Sequence, residues 1–278
     1  MKKRLLVTIG CSLTEGVGCY DYNINPDKLH FGQLNYKNKK QTLDNFHKEG
    51  WPNRVGKALN FDKVINLGSG GSSNCTHLKL FTDKIKSKID KLNKEYDVFL
   101  IWMMTEPTRF SFYTTDTILQ FCPVEAANPT NNIVVNSLEK GYLKYIKEYK
   151  IGPLREQIFL IELAESLFRE NNIKPLFTSW SKLLPDLLRM YKSEYWLSPK
   201  PSDLLKEVVK DRKYISEAVH CGHPNENGYE LIANQLIVDI KKYHPEFYSN
   251  TPVEKFDWEW DGSVIYTPQK KGTSFNLF

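Results

Sequence analysis

The first informative stretch of the chain is residues 5–16, with the sequence LLVTIGCSLTEG. Its apolar part, Leu5–Ile9, is short, compact and followed by Gly10, which is typical of a buried parallel strand. The turn that follows carries Ser12 and ends at Gly16. Functional side chains of parallel α/β proteins lie on loops at the carboxyl ends of strands, so we expect this turn at such an edge.

The chain beyond this stretch alternates apolar strands with amphipathic helices. We predict further strands at Lys63–Leu67, Asp97–Met104 and Lys174–Trp180. We predict helices at Trp51–Leu59, 76–94, Leu154–Glu170 and Glu226–Tyr243. This alternation indicates an α/β protein with a mainly parallel sheet and helices on both faces.

Three segments interrupt the alternation, and we interpret them as insertions and a tail. Residues 20–48 are polar and predict a long excursion outside the core. Residues 113–150 predict an insertion of loops with a short helical segment. Residues 250–278 carry several aromatic side chains and are expected to pack on the domain or extend it. No linker divides the chain, so we expect one domain over residues 1–249 followed by this tail.

The composition is that of an ordinary globular protein. With 278 residues, 41% of them hydrophobic and 26% charged, the chain is long enough for a large core without external crosslinks. Thirty-eight Lys and Arg oppose thirty-three Asp and Glu, and the net charge of +5 is evenly scattered. This balance argues against a dedicated DNA or RNA binder.

The cysteines and the apolar runs bear on the compartment. The five cysteines, an odd number with no CxxC pair, are expected to be free thiols in a reducing, cytoplasmic environment. The apolar run before Gly10 is too short for a secretory signal. The longest one elsewhere, Val98–Met104, is too short to cross a bilayer, so we expect no membrane partner.

Two residues far apart in the chain suggest nucleophilic chemistry. A serine at the position of Ser12 can be exposed for attack while neighbouring amides point at a developing oxyanion. A turn or helix N-cap serine would also suit this position. His223 lies between Gly222 and Pro224, just before the last predicted helix, where a general base would be both positioned and accessible.

In order and placement, three blocks resemble those of the SGNH hydrolases, also called GDSL-type esterases. Gly10–Gly16 is similar to their Gly-Asp-Ser-x-Thr-x-Gly block, with Cys11 in place of Asp. Asn66–Ser72 is similar to their Asn-x-Gly block, and the resemblance gives its oxyanion-hole role to Gly71. His223–Gly228 is similar to the last block, which precedes the terminal helix.

The resemblance implies both a fold and an activity. The fold would be a three-layer α/β/α sandwich with a flavodoxin-like sheet and loop insertions. The activity would be that of a serine esterase without a cofactor or metal, in which Ser12 attacks an ester and His223 is the base. The substrate would be a small-molecule or carbohydrate ester, such as one with an O-acetyl group.

The sequence departs from the family pattern at the third block. The family has an oxyanion-binding Asn after the third strand, whereas residues 105–109 here are TEPTR, and Thr105 is the nearest donor in register. A block with Trp, Thr and Arg resembles those of bacteriophage-encoded members, which suggests a viral source.

A second departure concerns the residue that orients the base. The family has an Asp three residues before the histidine, where this chain has His220. His220 could accept the N–H of His223 but adds no negative charge; a backbone carbonyl, Asp211 or Glu217 are the alternatives. Losing this charge lowers kcat by about 10⁴ in serine proteases. A weak or inactive binding module, for example for glycans, is therefore the alternative function.

Some of these residues have other interpretations. The glycines of residues 68–71 would suit a phosphate or dinucleotide loop, although the full motif is missing. His220, Cys221 and His223 could ligate zinc, although no second ligand pair is near. Arg109 would ordinarily form a surface or capping ion pair.

Overall fold

The computed structural model describes most of the chain as an α/β protein. The described residues are 2–29, 33–113, 118–121, 152–180, 191–197, 210–218 and 221–260, with positions 144, 148 and 208. Among them, no helix is both long enough and apolar enough to cross a bilayer.

Five parallel strands form the central sheet: β1 (Lys3–Gly10), β2 (Lys63–Gly68), β3 (Tyr96–Met104), β6 (Lys174–Ser179) and β7 (Asp257–Trp260). Their order in the sheet is β6-β3-β1-β2-β7. A separate antiparallel pair consists of β4 (Phe110–Tyr113) and β5 (Ile118–Phe121). The order β2-β1-β3-β6 is that of flavodoxin-like sheets, in which the order of strand addition reverses beside β1.

Helices cover both faces of this sheet and make a three-layer sandwich. They are α1 (Ser12–Glu15), α2 (Tyr36–Glu49), α3 (Trp51–Ala58), α4 (Asn74–Lys84), α5 (Ile89–Glu95), α6 (Gly152–Glu170) and α7 (Glu226–Tyr243). Side chains of α3 and α7 share one buried cluster with Leu6, whereas those of α4 and α6 share another with Leu5 and Val7. Successive residues of a strand point to opposite faces, so β1 supplies both cores.

The predicted strands and most predicted helices are confirmed. β1, β2, β3 and β6 lie where the apolar runs place them, and α3, α6 and α7 lie where the helical spacing does. The predicted helix over residues 76–94 is interrupted between α4 and α5 by a 3₁₀ turn at Lys86–Lys88. Ser87 Oγ there donates to the Asp83 carbonyl at 3.0 Å, and such local bonds compete with regular helix.

The prediction that residues 20–48 lie outside the core is wrong in part. This segment contains most of α2, and Tyr20, Phe46 and His47 are buried. The rings of Tyr20 and Phe46 meet edge to face, with centroids 5.0 Å apart. The buried side of α2 includes Thr42 and His47, whose polar character hid the helical period.

The two other irregular segments are described only in part. Residues 257–260 of the tail form β7, where Trp258 pairs in register with Val64 of β2. The sequence did not predict this strand or the β4 and β5 pair. Residues 261–278, and residues 122–151 apart from positions 144 and 148, lie outside the described residues.

Because β1 is buried on both faces, replacing a leucine in it should destabilise the protein much more than replacing an exposed leucine. Leu6 is fully buried in β1, whereas Leu163 on α6 is 54% exposed. We expect Leu6→Ala to lower the free energy of unfolding by about 2–5 kcal/mol, because it leaves a cavity. Leu163→Ala, the matched control, should change it by less than about 0.5 kcal/mol. Urea unfolding measures both, and equal losses would contradict this assignment of the core.

Candidate active site

The predicted site residues lie at the carboxyl edge of the sheet, around the end of β1. Gly10 is in register with Met103 of β3 and with Gly68 of β2. Ser12 lies two residues after Gly10, and Thr105 lies two residues after Met103. Gly71 lies three residues after Gly68. This edge beside β1 is where flavodoxin-like sheets bind their ligands.

Ser12 is the first residue of the short helix α1 and is 8% exposed. The N–H groups of Thr14 and Glu15 donate to the Cys11 carbonyl, both at 2.9 Å. Gly16 ends the helix with a left-handed φ of 93°, and a Cβ there would lie 2.0 Å from the Phe46 carbonyl oxygen. Both constraints require glycine and keep the serine turn in place.

Ser12 and His223 meet in the structure. Ser12 Oγ lies 2.8 Å from His223 Nε2, although 211 residues separate them in the chain. The histidine loop is fastened because His223 O accepts from the Ser216 N–H at 2.9 Å. Gly18, with a φ of 115°, lets the two loops approach, since a Cβ there would lie 2.1 Å from Pro224 O.

The other ring nitrogen of His223 faces a thiol. Its Nδ1 lies 3.7 Å from Cys221 Sγ, and burial raises the pKa of this thiol, so it remains neutral near pH 7. Asp211 pairs with Lys213 at 3.0 Å, and Glu217 pairs with Lys28. These two carboxylates, both alternatives for the missing Asp, are therefore engaged elsewhere.

His220, predicted as the orienting residue, lies outside the described residues.

Asn66 and Glu15 fasten the glycine loop that follows β2. Asn66 Oδ1 accepts from the Gly68 N–H at 2.8 Å, and its Nδ2 donates to the Thr14 carbonyl at 2.9 Å. Glu15 accepts from the Gly70 N–H at 2.6 Å. Gly71, the next residue, has a left-handed φ of 75°. Hydrogen bonds at Asn66, before Gly68, and at Gly70, after it, thus hold the loop against the serine turn.

A buried chain of donors fixes the other end of this loop. Trp102 Nε1–H donates to His77 Nδ1 at 3.1 Å, and His77 Nε2 lies 2.8 Å from Ser72 Oγ. Since indole only donates, the His77 proton is on Nε2, which donates to Ser72. Burial, and secondly the charge of Arg109, lower the pKa of His77 to about 3. Trp102 is fully buried. His77 was not identified from the sequence.

Thr105 has a buried hydroxyl with no partner among the described residues. Its backbone N–H donates to Asn74 Oδ1 at 2.8 Å, and its carbonyl accepts from Asn74 Nδ2 at 3.1 Å. These two bonds hold the residue in position. Its Oγ–H is left available as a donor.

The cysteines near the site are free thiols. Cys11 Sγ accepts from Trp180 Nε1–H at 3.2 Å and lies 4.0 Å from Ser12 Oγ. Cys11, Cys19, Cys75 and Cys221 are unpaired, and Cys122 lies outside the described residues. In the part of the chain that the structure describes, no group of three His, Cys, Asp or Glu side chains could hold a metal ion.

The described residues define an α/β protein with a serine, a histidine and a fastened glycine loop at the switch point of its sheet. Comparison with protein-family models finds no match for this chain, and comparison with curated proteins finds none either. The function therefore has to be argued from the geometry of the site.

Three buried groups near the site predict how stability depends on pH. Burial raises the pKa of Glu15 to about 8, so the folded protein keeps a proton that the unfolded chain loses above about 4.5. Stability therefore falls as the pH rises from 4.5 to 8. Burial lowers the pKa of His47 and His77 to about 3, against 6.5 when unfolded. Stability therefore also falls as the pH drops from 6.5 to 3.

Below pH 6.5, the loss of stability from the two histidines is larger than the gain from the one glutamate. We therefore expect maximal stability near pH 6.5. Between pH 6.5 and 8 the free energy of unfolding should fall by about 1.4 kcal/mol per pH unit, and Glu15→Gln should remove this decline. Urea unfolding across this range checks the slope. Glu49→Gln, at a partly exposed glutamate, is the control; the same slope in Glu15→Gln as in the wild type would contradict the assignment.

Proposed function

We propose that the protein is a serine esterase of the SGNH hydrolase type, which cleaves a carboxylic ester through an acyl-Ser12 intermediate. The observation that carries this proposal is the 2.8 Å distance between Ser12 Oγ and His223 Nε2. A nucleophile within hydrogen-bond distance of a base is the signature of this chemistry. Separate backbone hydrogen bonds fasten the turn that carries Ser12 and the loop that carries His223.

In the first half of the reaction, Ser12 Oγ attacks the ester carbonyl carbon while His223 Nε2 takes the serine proton. The tetrahedral intermediate collapses, the bond to the alcohol breaks, and His223 returns the proton to the leaving oxygen. In the second half, His223 takes a proton from water, which attacks the acyl group. The acid leaves, and Ser12 regains its proton.

The negative charge that develops on the carbonyl oxygen needs donors. We assign this role to the backbone N–H groups of Ser12 and Gly71 and to the hydroxyl of Thr105. The first N–H groups of a helix have no carbonyl partner within it, which supports the assignment of Ser12. The unpartnered hydroxyl of Thr105 supports the third assignment. By the family resemblance, the substrate is an O-acetyl group on a carbohydrate.

A binding module without turnover is the second candidate. It is favoured by the neutral Cys221 thiol, which lies 3.7 Å from His223 Nδ1. It is also favoured by the pairing of Asp211 and Glu217, the two carboxylates considered as orienting groups, with lysines. A neutral partner stabilises the imidazolium less than a carboxylate does. The same experiment distinguishes the two candidates.

The esterase proposal predicts hydrolysis of 4-nitrophenyl acetate and covalent labelling by a fluorophosphonate. Ser12→Ala should abolish the labelling and lower kcat by at least about 10³, and His223→Ala should lower kcat by a similar factor. Ser87→Ala, at an exposed serine on the turn between α4 and α5, and His244→Ala are matched controls that should retain activity. If the wild-type protein shows neither labelling nor turnover, the esterase proposal is wrong and the binding module is the remaining candidate.

Thr105 offers a separate prediction about the oxyanion. Thr105→Val keeps the shape of the side chain and removes its donor, so kcat should fall by about 10²-fold or more. Thr105→Ser should keep most of the activity. Because the hydroxyl is unpartnered, Thr105→Val should not lower the melting temperature. An unchanged kcat in a folded Thr105→Val protein would remove Thr105 from the site.

A further inference from the structure

Arg109 lies in the turn after β3, and its surroundings differ from the ion pair expected from the sequence. Its Nε and Nη1 are shielded from solvent, and neither has a hydrogen-bond partner among the described residues. No ion pair joins it to an acidic side chain in that part of the chain either. Shielded donors on a cation without acceptors are costly, so such an arrangement points to a ligand that supplies acceptor oxygens.

The position of Arg109 relates it to both halves of the site. Its guanidinium carbon lies 5.4 Å from the centre of the Trp180 ring, and the Trp180 N–H bonds to Cys11, next to Ser12. On the other side, the charge of Arg109 helps to lower the pKa of His77, which bonds to Ser72, next to Gly71. One indole ring therefore separates Arg109 from the serine turn.

The geometry of this pair favours one class of ligand. A guanidinium against an aromatic face keeps its N–H donors in its own plane, where two of them can bind two oxygens of one group. Carboxylate, phosphate and sulfate groups all present oxygens at that spacing.

We propose that Arg109 binds an oxyanion group of the substrate, so that the preferred esters carry a carboxylate, phosphate or sulfate near the ester bond. This inference rests on the proposed function and makes Arg109 the specificity-determining residue of the same site. Trp180 supports the guanidinium from one face and connects it to Cys11.

A matched pair of esters tests this inference by binding as well as by turnover. The probes are 4-acetoxybenzoate and its neutral methyl ester. In the Ser12→Ala protein, which cannot turn them over, calorimetry should show at least about tenfold tighter binding of the carboxylate. Adding Arg109→Met should remove that preference, whereas adding Arg155→Met, at an exposed arginine on α6, should keep it. Equal binding of the two probes, or no binding, overturns the inference.

Turnover separates this inference from the proposed function. In otherwise wild-type protein, Arg109→Lys should raise KM for the anionic ester with little change in kcat, because lysine keeps the charge and loses the two-point contact. Hydrolysis of both esters with equal kcat/KM, unchanged in Arg109→Met, would overturn the anion site and leave the esterase. Arg109-dependent carboxylate binding without any turnover would overturn the esterase and leave the anion site.

Stability provides the control for a merely structural role. Methionine keeps an apolar stem of similar length beside Trp180 and removes a shielded cation. We therefore expect Arg109→Met to leave the melting temperature unchanged or raise it. A fall of more than about 2–4 °C, which corresponds to a loss of more than about 1 kcal/mol in a domain of about this size, would show that Arg109 stabilises the fold and would overturn its assignment to the substrate.

Discussion

The buried amide of Asn66 is the interaction on which the arrangement of the site depends. Asn66 is 1% exposed at the end of β2, and its side chain accepts from Thr8 and Gly68 and donates to the carbonyl of Thr14. One side chain thus joins the neighbouring strands β1 and β2 to the serine turn. Without it, a buried N–H and a buried carbonyl would lose their partners, which costs about 1–3 kcal/mol for each group. The turn that carries Ser12 would then lose its attachment to the glycine loop.

The polar groups behind the site are neutral, and burial is the reason. Burial raises the pKa of Glu15 to about 8 and lowers that of His77 to about 3, so both are mostly uncharged at pH 7. Each still forms its hydrogen bond to the glycine loop, Glu15 with Gly70 and His77 with Ser72. A loop fastened by neutral bonds adds little charge of its own.

Most of the sheet could be predicted from the sequence because parallel strands are buried on both faces and appear as apolar runs. The segments that were missed lack this signal. In α2 the buried face includes Thr42 and His47, and β7 is four residues long with two acidic ones, Asp257 and Glu259. Among the described residues Arg109 forms no ion pair, and its guanidinium lies over the ring of Trp180, which is far away in the chain. Sequence spacing carries no information about such a contact.

The sequence by itself determined the alternation of strands and helices, the placement of Ser12 after the first strand and the placement of His223 before the last helix. These features are local, because hydrophobic period and turn residues act within a few positions. The tertiary structure alone decided that Ser12 Oγ and His223 Nε2 lie 2.8 Å apart across 211 residues, and that Cys221 lies beside the imidazole. It also decided which buried groups are neutral. Distances and burial depend on how the strands pair and how the loops pack, and neither follows from local preference.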